Sequence, residues 1–263
     1  MLEIKLDDSF KKKFLGTFPL SKIRSALQKN KANDIKVKKF VTEYNDHYFK
    51  MLNVTRSQCD IKFKETMVKC DLPIKTGESF HRMAFTALAV SGFKPKNILE
   101  LGTNKGETTA FLACLFPDAK IYTVELPEND PICAGRTDFN YDKMNQQLKK
   151  NTSYPNVVPL RSNTAFLMDL KLPSLDLIWL DAGHQYPEVA WDHFYCIQQL
   201  HTGGWLFSDD YIQPKNNGPK KPIHEVVEYF SERMPEKFKL IIKRENVLEF
   251  VKRPKYLAFY HKN

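Results

Sequence analysis

The segment Asn97-Ile-Leu-Glu-Leu-Gly-Thr-Asn-Lys-Gly-Glu-Thr-Thr109 decides the fold, because it joins an apolar run to two glycines and then to the helix-like run Ala110-Phe-Leu-Ala-Cys-Leu-Phe116. This order predicts a β-strand, a tight turn and a helix N-terminus. Gly102 and Gly106 lack the side chains that would keep a bound ligand away from the backbone, and Glu100 brings charge to the same crevice. The segment therefore predicts a site for an adenosine-containing ligand.

A second acidic residue follows the next apolar run. The run Lys120-Ile-Tyr-Thr-Val-Glu125 ends in an acid that is placed to accept hydrogen bonds from ribose hydroxyls. Dinucleotide-binding enzymes share this acid, but their glycines read G-x-G-x-x-G, whereas the pattern here is E-x-G-x-x-x-G. Lys105 precedes a glycine instead of following one, so a Walker phosphate loop does not match either. The two runs resemble the class I S-adenosylmethionine-dependent methyltransferases, and this resemblance implies S-adenosylmethionine as the cofactor.

Predicted strands and helices alternate from residue 97 onward, which is typical of a parallel sheet covered on both faces. The predicted strands are 97–101, 120–125, 157–161, 175–181 and 203–209, and the predicted helices lie near 107–116, 140–150, 164–169, 187–200 and 222–233. Two apolar runs, Phe238–Ile242 and Tyr256–Tyr260, close the chain around a hairpin-like segment near Asn246 and Pro254. The resemblance implies an α/β, Rossmann-like fold with a seven-stranded, mostly parallel sheet whose last strand is antiparallel.

The first ninety residues have a mostly helical pattern. Apolar residues recur near helical spacing over 21–31 and 34–52, and a further helix is predicted over 78–91. We expect an N-terminal helical cap or oligomerisation arm over residues 1–75, through which the chain would form a homo-oligomer. The cofactor-binding domain is expected over residues 76–263.

Charge is distributed unevenly along the chain. The overall net charge is +9, made up of +8 over residues 1–70, −5 over 71–211 and +6 over 212–263. A net-acidic centre suits a sulfonium cofactor and a cation, while basic flanks would attract a small anionic acceptor. No segment resembles a nucleic-acid-binding module with interleaved aromatic residues, so nucleic acid is not an expected partner.

The cysteines and the hydropathy indicate the compartment. Five cysteines, odd in number, widely spaced and without a C-x-x-C pair, favour neither a disulfide framework nor a thiolate zinc site. No apolar run approaches the roughly eighteen residues that a membrane span needs, and the N-terminus lacks a long apolar signal region. We expect a cytoplasmic protein without a membrane span.

Three carboxylates follow the fourth and fifth predicted strands. The runs Leu175-Asp-Leu-Ile-Trp-Leu-Asp-Ala-Gly-His184 and Gly203-Gly-Trp-Leu-Phe-Ser-Asp-Asp-Tyr211 place Asp181, Asp209 and Asp210 at strand ends. In a parallel sheet these ends lie side by side at the crevice where ligands bind. Clustered carboxylates repel one another, and a hard divalent ion such as Mg²⁺, which prefers oxygen ligands, would remove that repulsion.

With these residues the resemblance sharpens to the magnesium-dependent O-methyltransferases. It points to the branch of macrolide-sugar and other natural-product enzymes, which is also similar to cephalosporin-hydroxylase-type proteins, and it covers about residues 75–211. It implies Mg²⁺ held by Asp181, Asp209 and Asp210. It also implies His184 and Asp181 as catalytic residues. Catechol-type relatives carry lysine at this histidine position, so His184 favours a hydroxyl of a sugar, nucleotide-linked sugar or natural product as the methyl acceptor.

The resemblance also assigns a cofactor pocket. It implies contacts with the cofactor at nine positions: Glu100, Gly102, Thr103, Gly106, Thr108, Glu125, Ser162, Asn163 and Asp181. Thr108 would meet the methionine carboxylate at a helix N-terminus, and Glu125 would meet the ribose. Ser162 and Asn163 would lie at the adenine edge.

Other interpretations of these residues stay open. Asp181 and the pair Asp209-Asp210 would also suit ordinary turns, and His184 would also suit a local hydrogen bond. A metal-independent methyltransferase would use Asp181 and His184 alone on an anionic acceptor. A non-catalytic scaffold would keep the fold and act through its basic helical arm, although the retained acids and histidine argue against this.

Overall fold

The computed structural model of the protein describes residues 31–74, 79–128, 130–131, 141–212, 221–245 and 254–263. Most of the predicted helix over 21–31 and the turn near Asn246 lie outside these residues. Within these ranges three helices come first: α1 (Lys31–Met51), α2 (Arg56–Lys69) and α3 (His81–Val90). Helix α2 begins with a capping box, in which Thr55 and Gln58 each accept a hydrogen bond from the other's backbone N–H.

The described residues that follow form a seven-stranded sheet. Its elements, in chain order, are β1 (Asn97–Leu101), α4 (Glu107–Leu115), β2 (Lys120–Glu125), α5 (Tyr141–Asn151), β3 (Val157–Arg161), the 3-10 helix η1 (Thr164–Leu170), β4 (Leu175–Leu180), α6 (Glu188–Gln199), β5 (Leu200–Tyr211), α7 (Pro222–Arg233), β6 (Lys239–Ile242) and β7 (Tyr256–His261). The strand order is β3-β2-β1-β4-β5-β7-β6, and β7 runs antiparallel to both of its neighbours, β5 and β6. The predicted Rossmann-like α/β fold with an antiparallel last strand is confirmed.

The strand bounds differ from the prediction at the centre of the sheet. Strands β1, β2 and β3 have the predicted bounds, but β4 ends one residue early, at Leu180. Strand β5 extends three residues before the predicted start at 203, because Leu200 pairs with Leu175 ahead of a register shift. The helix predicted near 164–169 is a 3-10 helix that ends at Leu170, and Lys171 directly after it has the left-handed conformation.

Alternate strand residues face two apolar layers. One layer joins Ile98, Trp179, Phe207 and Phe259 to helices α1 to α4, and the other joins Leu99, Ile178 and Leu206 to α6 and η1. Tyr48 of α1 donates a hydrogen bond to Ala84 O at 3.1 Å and meets the Phe259 ring edge-on at 5.2 Å. The described helices ahead of residue 75 thus share a core with the sheet, and the domain boundary at 75 stays a prediction. Within the described ranges, no helix is long and apolar enough to cross a membrane.

Candidate active site

The turn after β1 touches the end of β4. Asp181 N donates to Leu101 O at 2.9 Å, and Gly102 has φ +95°. A Cβ added at Gly102 would lie 2.1 Å from Asp181 O, and the left-handed conformation is itself costly for other residues. Only glycine satisfies both conditions, and it places the glycine turn directly beside Asp181.

Gly106 begins helix α4 with a second positive φ, +71°. A Cβ there would approach Asn151 Cβ to 3.0 Å, and Asn151 Nδ2 holds the turn by donating to Lys105 O at 2.8 Å. The unsatisfied N–H groups and the positive dipole end of α4 follow at once. This helix end is suited to a carboxylate ligand.

Thr108, in the first turn of α4, contacts a histidine that sequence patterns do not single out. Its Oγ1 lies 3.1 Å from His81 Nε2, and the His81 ring stacks on Trp179 at 4.8 Å. Burial, and then the charges of Arg82 and Lys243, lower the pKa of His81 well below its usual value, so the ring is neutral. His81 therefore orients Thr108 without adding charge at the helix end.

Glu100 lies beneath the glycine turn and is only 1% exposed. Its carboxyl accepts hydrogen bonds from Thr109 Oγ1 and, at 2.6 Å, from Thr123 Oγ1, and Thr123 is also 2.6 Å from Thr103 Oγ1. Burial raises the pKa of Glu100 to about 7, although the hydroxyl donors oppose the shift. Glu100 and Thr103 thus brace the turn from below, and their predicted contact with the cofactor stays a prediction.

Glu100→Gln tests this buried carboxyl. The pKa of about 7 exceeds the ordinary 4.5, so the stability that this group contributes is full below about pH 4.5 and is lost as the pH rises through about 7. Between these limits, we expect wild-type unfolding free energy to fall about 3 kcal/mol more than that of Glu100→Gln. Urea unfolding at a series of pH values measures the difference, and parallel profiles for the two proteins would contradict it.

Glu125 and Ser162 lie together at the ends of β2 and β3. Glu125 Oε2 accepts from Asn104 N at 2.5 Å, and Ser162 N donates to Glu125 O at 3.0 Å. Asn163 Oδ1 accepts from Ala165 N at 3.0 Å and thereby caps η1. The predicted ribose and adenine residues therefore adjoin one another beside the glycine turn.

His184 lies between two carboxylates. Its Nε2 is 3.5 Å from Asp181 Oδ1, and its Nδ1 is 3.9 Å from Asp210 Oδ2. Asp181 is the largest cause that raises the pKa of His184, Asp210 adds to it, and burial opposes both. The structure thus brings together the predicted catalytic residues at the edge where β4 and β5 end.

Two lysines that the sequence analysis missed bind Asp209 and Asp210, called here the carboxylate pair. Lys243 Nζ lies 2.5 Å from Asp209 Oδ2 and 2.7 Å from Asp210 Oδ1, and Lys255 Nζ lies 2.8 Å from Asp210 Oδ2. The two lysines lower the pKa of Asp210 to about 2, although burial opposes the shift. Burial lowers the pKa of Lys243, but the carboxylate pair more than offsets it, so Lys243 is an ammonium. One signal was available: Lys243 directly follows β6 and Lys255 directly precedes β7, at the edge where β5 ends.

The oxygens of the carboxylate pair do not suit the predicted magnesium site. Three of the four oxygens of the carboxylate pair accept hydrogen bonds from ammonium groups. Mg²⁺ needs these oxygens as ligands in a near-octahedral set. Across the part of the chain that the structure describes, no group of three or more His, Cys, Asp or Glu side chains is arranged to hold a metal ion.

The fold agrees with that of known methyltransferases. A family model described as a methyltransferase domain matches residues 99–211. No curated protein matches the sequence.

Several solved structures have a similar fold. One is the O-methyltransferase TomG from Streptomyces achromogenes, with a TM-score of 0.52 at 15% identity. TomG is involved in tomaymycin synthesis and was solved with SAM. The match covers 85% of this chain and 99% of TomG. A putative caffeoyl-CoA O-methyltransferase from Staphylococcus aureus has a TM-score of 0.52 at 16% identity, over 86% of this chain and 99% of its own. A putative O-methyltransferase from Klebsiella pneumoniae scores 0.50 at 16% identity, over 85% and 100%.

At these identities the structural similarity shows the fold alone. The matched residues 99–211 include the glycine turn, Asp181, His184 and the carboxylate pair. These residues match the methyltransferase-domain family model, and the chain has the fold of the class I S-adenosylmethionine-dependent methyltransferases.

Proposed function

We propose that the protein is an S-adenosylmethionine-dependent O-methyltransferase that acts on a hydroxyl of a sugar, nucleotide-linked sugar or natural product. The observation that carries this proposal is the position of Asp181, whose backbone lies against Gly102 and whose side chain lies 3.5 Å from His184 Nε2. A methyl donor bound on the turn and a hydroxyl beside the histidine would then be neighbours, and such positioning is itself a large part of catalysis. The acceptor class rests on the resemblance of His184 to the histidine of sugar-modifying relatives, and the cytoplasmic location stays a prediction.

The cofactor would bind along the carboxyl ends of β1, β2 and β3. The N-terminus of α4, with Thr108, suits the methionine carboxylate, and Glu125 suits the ribose hydroxyls. Ser162, held next to Glu125, suits the adenine edge. S-adenosylmethionine supplies, when bound, a methyl group on a sulfonium that a nucleophilic oxygen can accept.

His184 would take the proton of the acceptor hydroxyl. A neutral imidazole is a competent base near neutral pH, because its reference pKa is about 6.5. Asp181, 3.5 Å from Nε2, raises the pKa of the ring and would stabilise the imidazolium that forms. The two residues thus form a base and its orienting carboxylate.

Calorimetric titration of S-adenosylhomocysteine into the wild type and Glu125→Ala tests the proposal. We expect micromolar binding by the wild type. Loss of the charge-assisted ribose hydrogen bonds should weaken binding by Glu125→Ala about 10- to 100-fold. Glu43→Ala, which removes an acid from an exposed ion pair on α1, is the matched control and should bind like the wild type. No binding by a folded wild-type protein would end the methyltransferase proposal.

A further inference from the structure

The carboxylate pair carries its own counter-charge. We propose that Lys243 and Lys255 supply the positive charge that the family resemblance assigns to magnesium, so that methyl transfer by this protein needs no divalent cation. This inference rests on the proposed methyltransferase function.

The first support is the balance of charge within the cluster. Two ammonium groups meet two carboxylates, with Nζ to oxygen distances of 2.5 to 3.0 Å. The side chain of Asp209 is 5% exposed and that of Lys243 is 10% exposed. A divalent ion between the carboxylates would have to displace a buried ammonium and lie beside a second one, which like-charge repulsion opposes.

The second support is the backbone at Lys243, which is fixed from both sides. Lys243 N donates to Lys255 O at 2.9 Å, one step beyond the paired residues Ile242 and Tyr256. Lys243 O accepts from Phe80 N, at the start of α3, at 2.7 Å. The two lysines therefore lie side by side because β6 and β7 pair, and α3 holds the position.

The third support is a brace from the N-terminal helices. Asn45 of α1 accepts from Ile242 N at 2.8 Å and donates to Ile242 O at 3.1 Å. Arg56 of α2 binds Glu245 through two nitrogens, at 2.9 and 3.1 Å. Ile242 and Glu245, which lie on either side of Lys243, are thus both held by hydrogen bonds from α1 and α2. The helical segment predicted as a cap or arm therefore positions this lysine.

The lysines act as positioning residues for the proposed base. Lys255 contacts both oxygens of Asp210, at 2.8 and 3.0 Å, and Lys243 contacts one. Asp210 in turn lies 3.9 Å from His184 Nδ1. The ammonium groups therefore fix one of the two carboxylates that flank the imidazole, a task for which no metal ion is needed.

Calorimetric titration with millimolar Mg²⁺ tests the inference directly. We expect no saturable binding by the wild type, and unchanged S-adenosylhomocysteine affinity with either EDTA or Mg²⁺ present. The double variant Lys243→Met/Lys255→Met leaves the carboxylate pair without counter-charge, so it should gain Mg²⁺ affinity at least about tenfold. Adding Asp209→Asn and Asp210→Asn should remove that gain. Lys39→Met, on the exposed face of α1, is the matched control and should behave like the wild type.

Saturable Mg²⁺ binding by the wild type that Asp209→Asn/Asp210→Asn abolishes would overturn the inference. The wild-type titration needs no variant, so misfolding of the double variant would not protect the inference from this result. Lys255→Met alone gives a second variant with less risk to the fold, because the Lys255 side chain is 40% exposed. Absence of S-adenosylhomocysteine binding would instead refute the methyltransferase proposal, which keeps the two failures distinct.

Discussion

His184→Ala is expected to lower kcat for methyl transfer about 100- to 10,000-fold, the range that a positioned general base contributes. The affinity for S-adenosylhomocysteine should stay within about threefold, because His184 is proposed to act on the acceptor hydroxyl and is not among the predicted cofactor contacts. The measurement is transfer of a radiolabelled methyl group from S-adenosylmethionine to a panel of sugars, sugar nucleotides and phenols. Calorimetry with S-adenosylhomocysteine accompanies it.

The matched control for this histidine is His201→Ala. His201 is exposed at the opposite end of β5 from Asp209, so its loss should leave both kcat and cofactor affinity unchanged. A kcat for His184→Ala within about threefold of the wild type would show that the histidine is not the base. Equal loss of kcat and of cofactor affinity would instead assign it a structural role.

Gly102→Ala is expected to destabilise the fold by about 2–6 kcal/mol, from backbone strain together with overpacking. The added Cβ would lie 2.1 Å from Asp181 O and 2.7 Å from Asp181 C, and neither backbone atom can move without separating β1 from β4. Any molecules that fold should bind S-adenosylhomocysteine at least about tenfold more weakly, because relief of the contact must displace the glycine turn. Urea unfolding and calorimetry measure the two effects.

Gly92→Ala distinguishes the effect of the Cβ contact with Asp181 from the effect of the left-handed backbone conformation. Gly92 has φ +90°, close to the +95° of Gly102, but nothing lies within 4 Å of a Cβ placed there. Its substitution should therefore cost only the left-handed strain, about 1–2 kcal/mol, and leave cofactor binding intact. Equal destabilisation by the two substitutions would contradict the role given to the close contact between Gly102 and Asp181.

Local patterns were enough to predict most of the sheet. Strands β1, β2 and β3 are apolar runs with clear ends, and the glycine spacing after Leu101 specifies a tight turn because φ is positive at both glycines. The end of β5 carries two aspartates at the edge where β4 also ends, so their nearness to His184 follows from parallel pairing alone. These features depend on where a strand ends and on its parallel direction in the sheet, and both follow from the pattern of apolar residues.

The partners of the carboxylate pair could not be predicted in the same way. Lys243 lies 34 residues beyond Asp209, and Lys255 lies 45 residues beyond Asp210. Their approach depends on β7 inserting between β5 and β6, and on side-chain rotamers that no residue pattern specifies. The residue pattern alone therefore predicts unbalanced carboxylates and a metal ion. Glu100 shows the same limit, because its hydroxyl donors Thr109 and Thr123 come from two different elements.

The position of β7 also bears on how the chain is synthesised. Strand β7, Tyr256–His261, is the last in sequence but lies between β5 and β6 in the sheet. Until that segment leaves the ribosome, β5 keeps an unpaired edge that includes the apolar residues Trp205 and Phe207. Open apolar edges are sites of aggregation in nascent chains. A chaperone that shields the β5 edge until β7 has been synthesised should therefore raise the yield of folded protein.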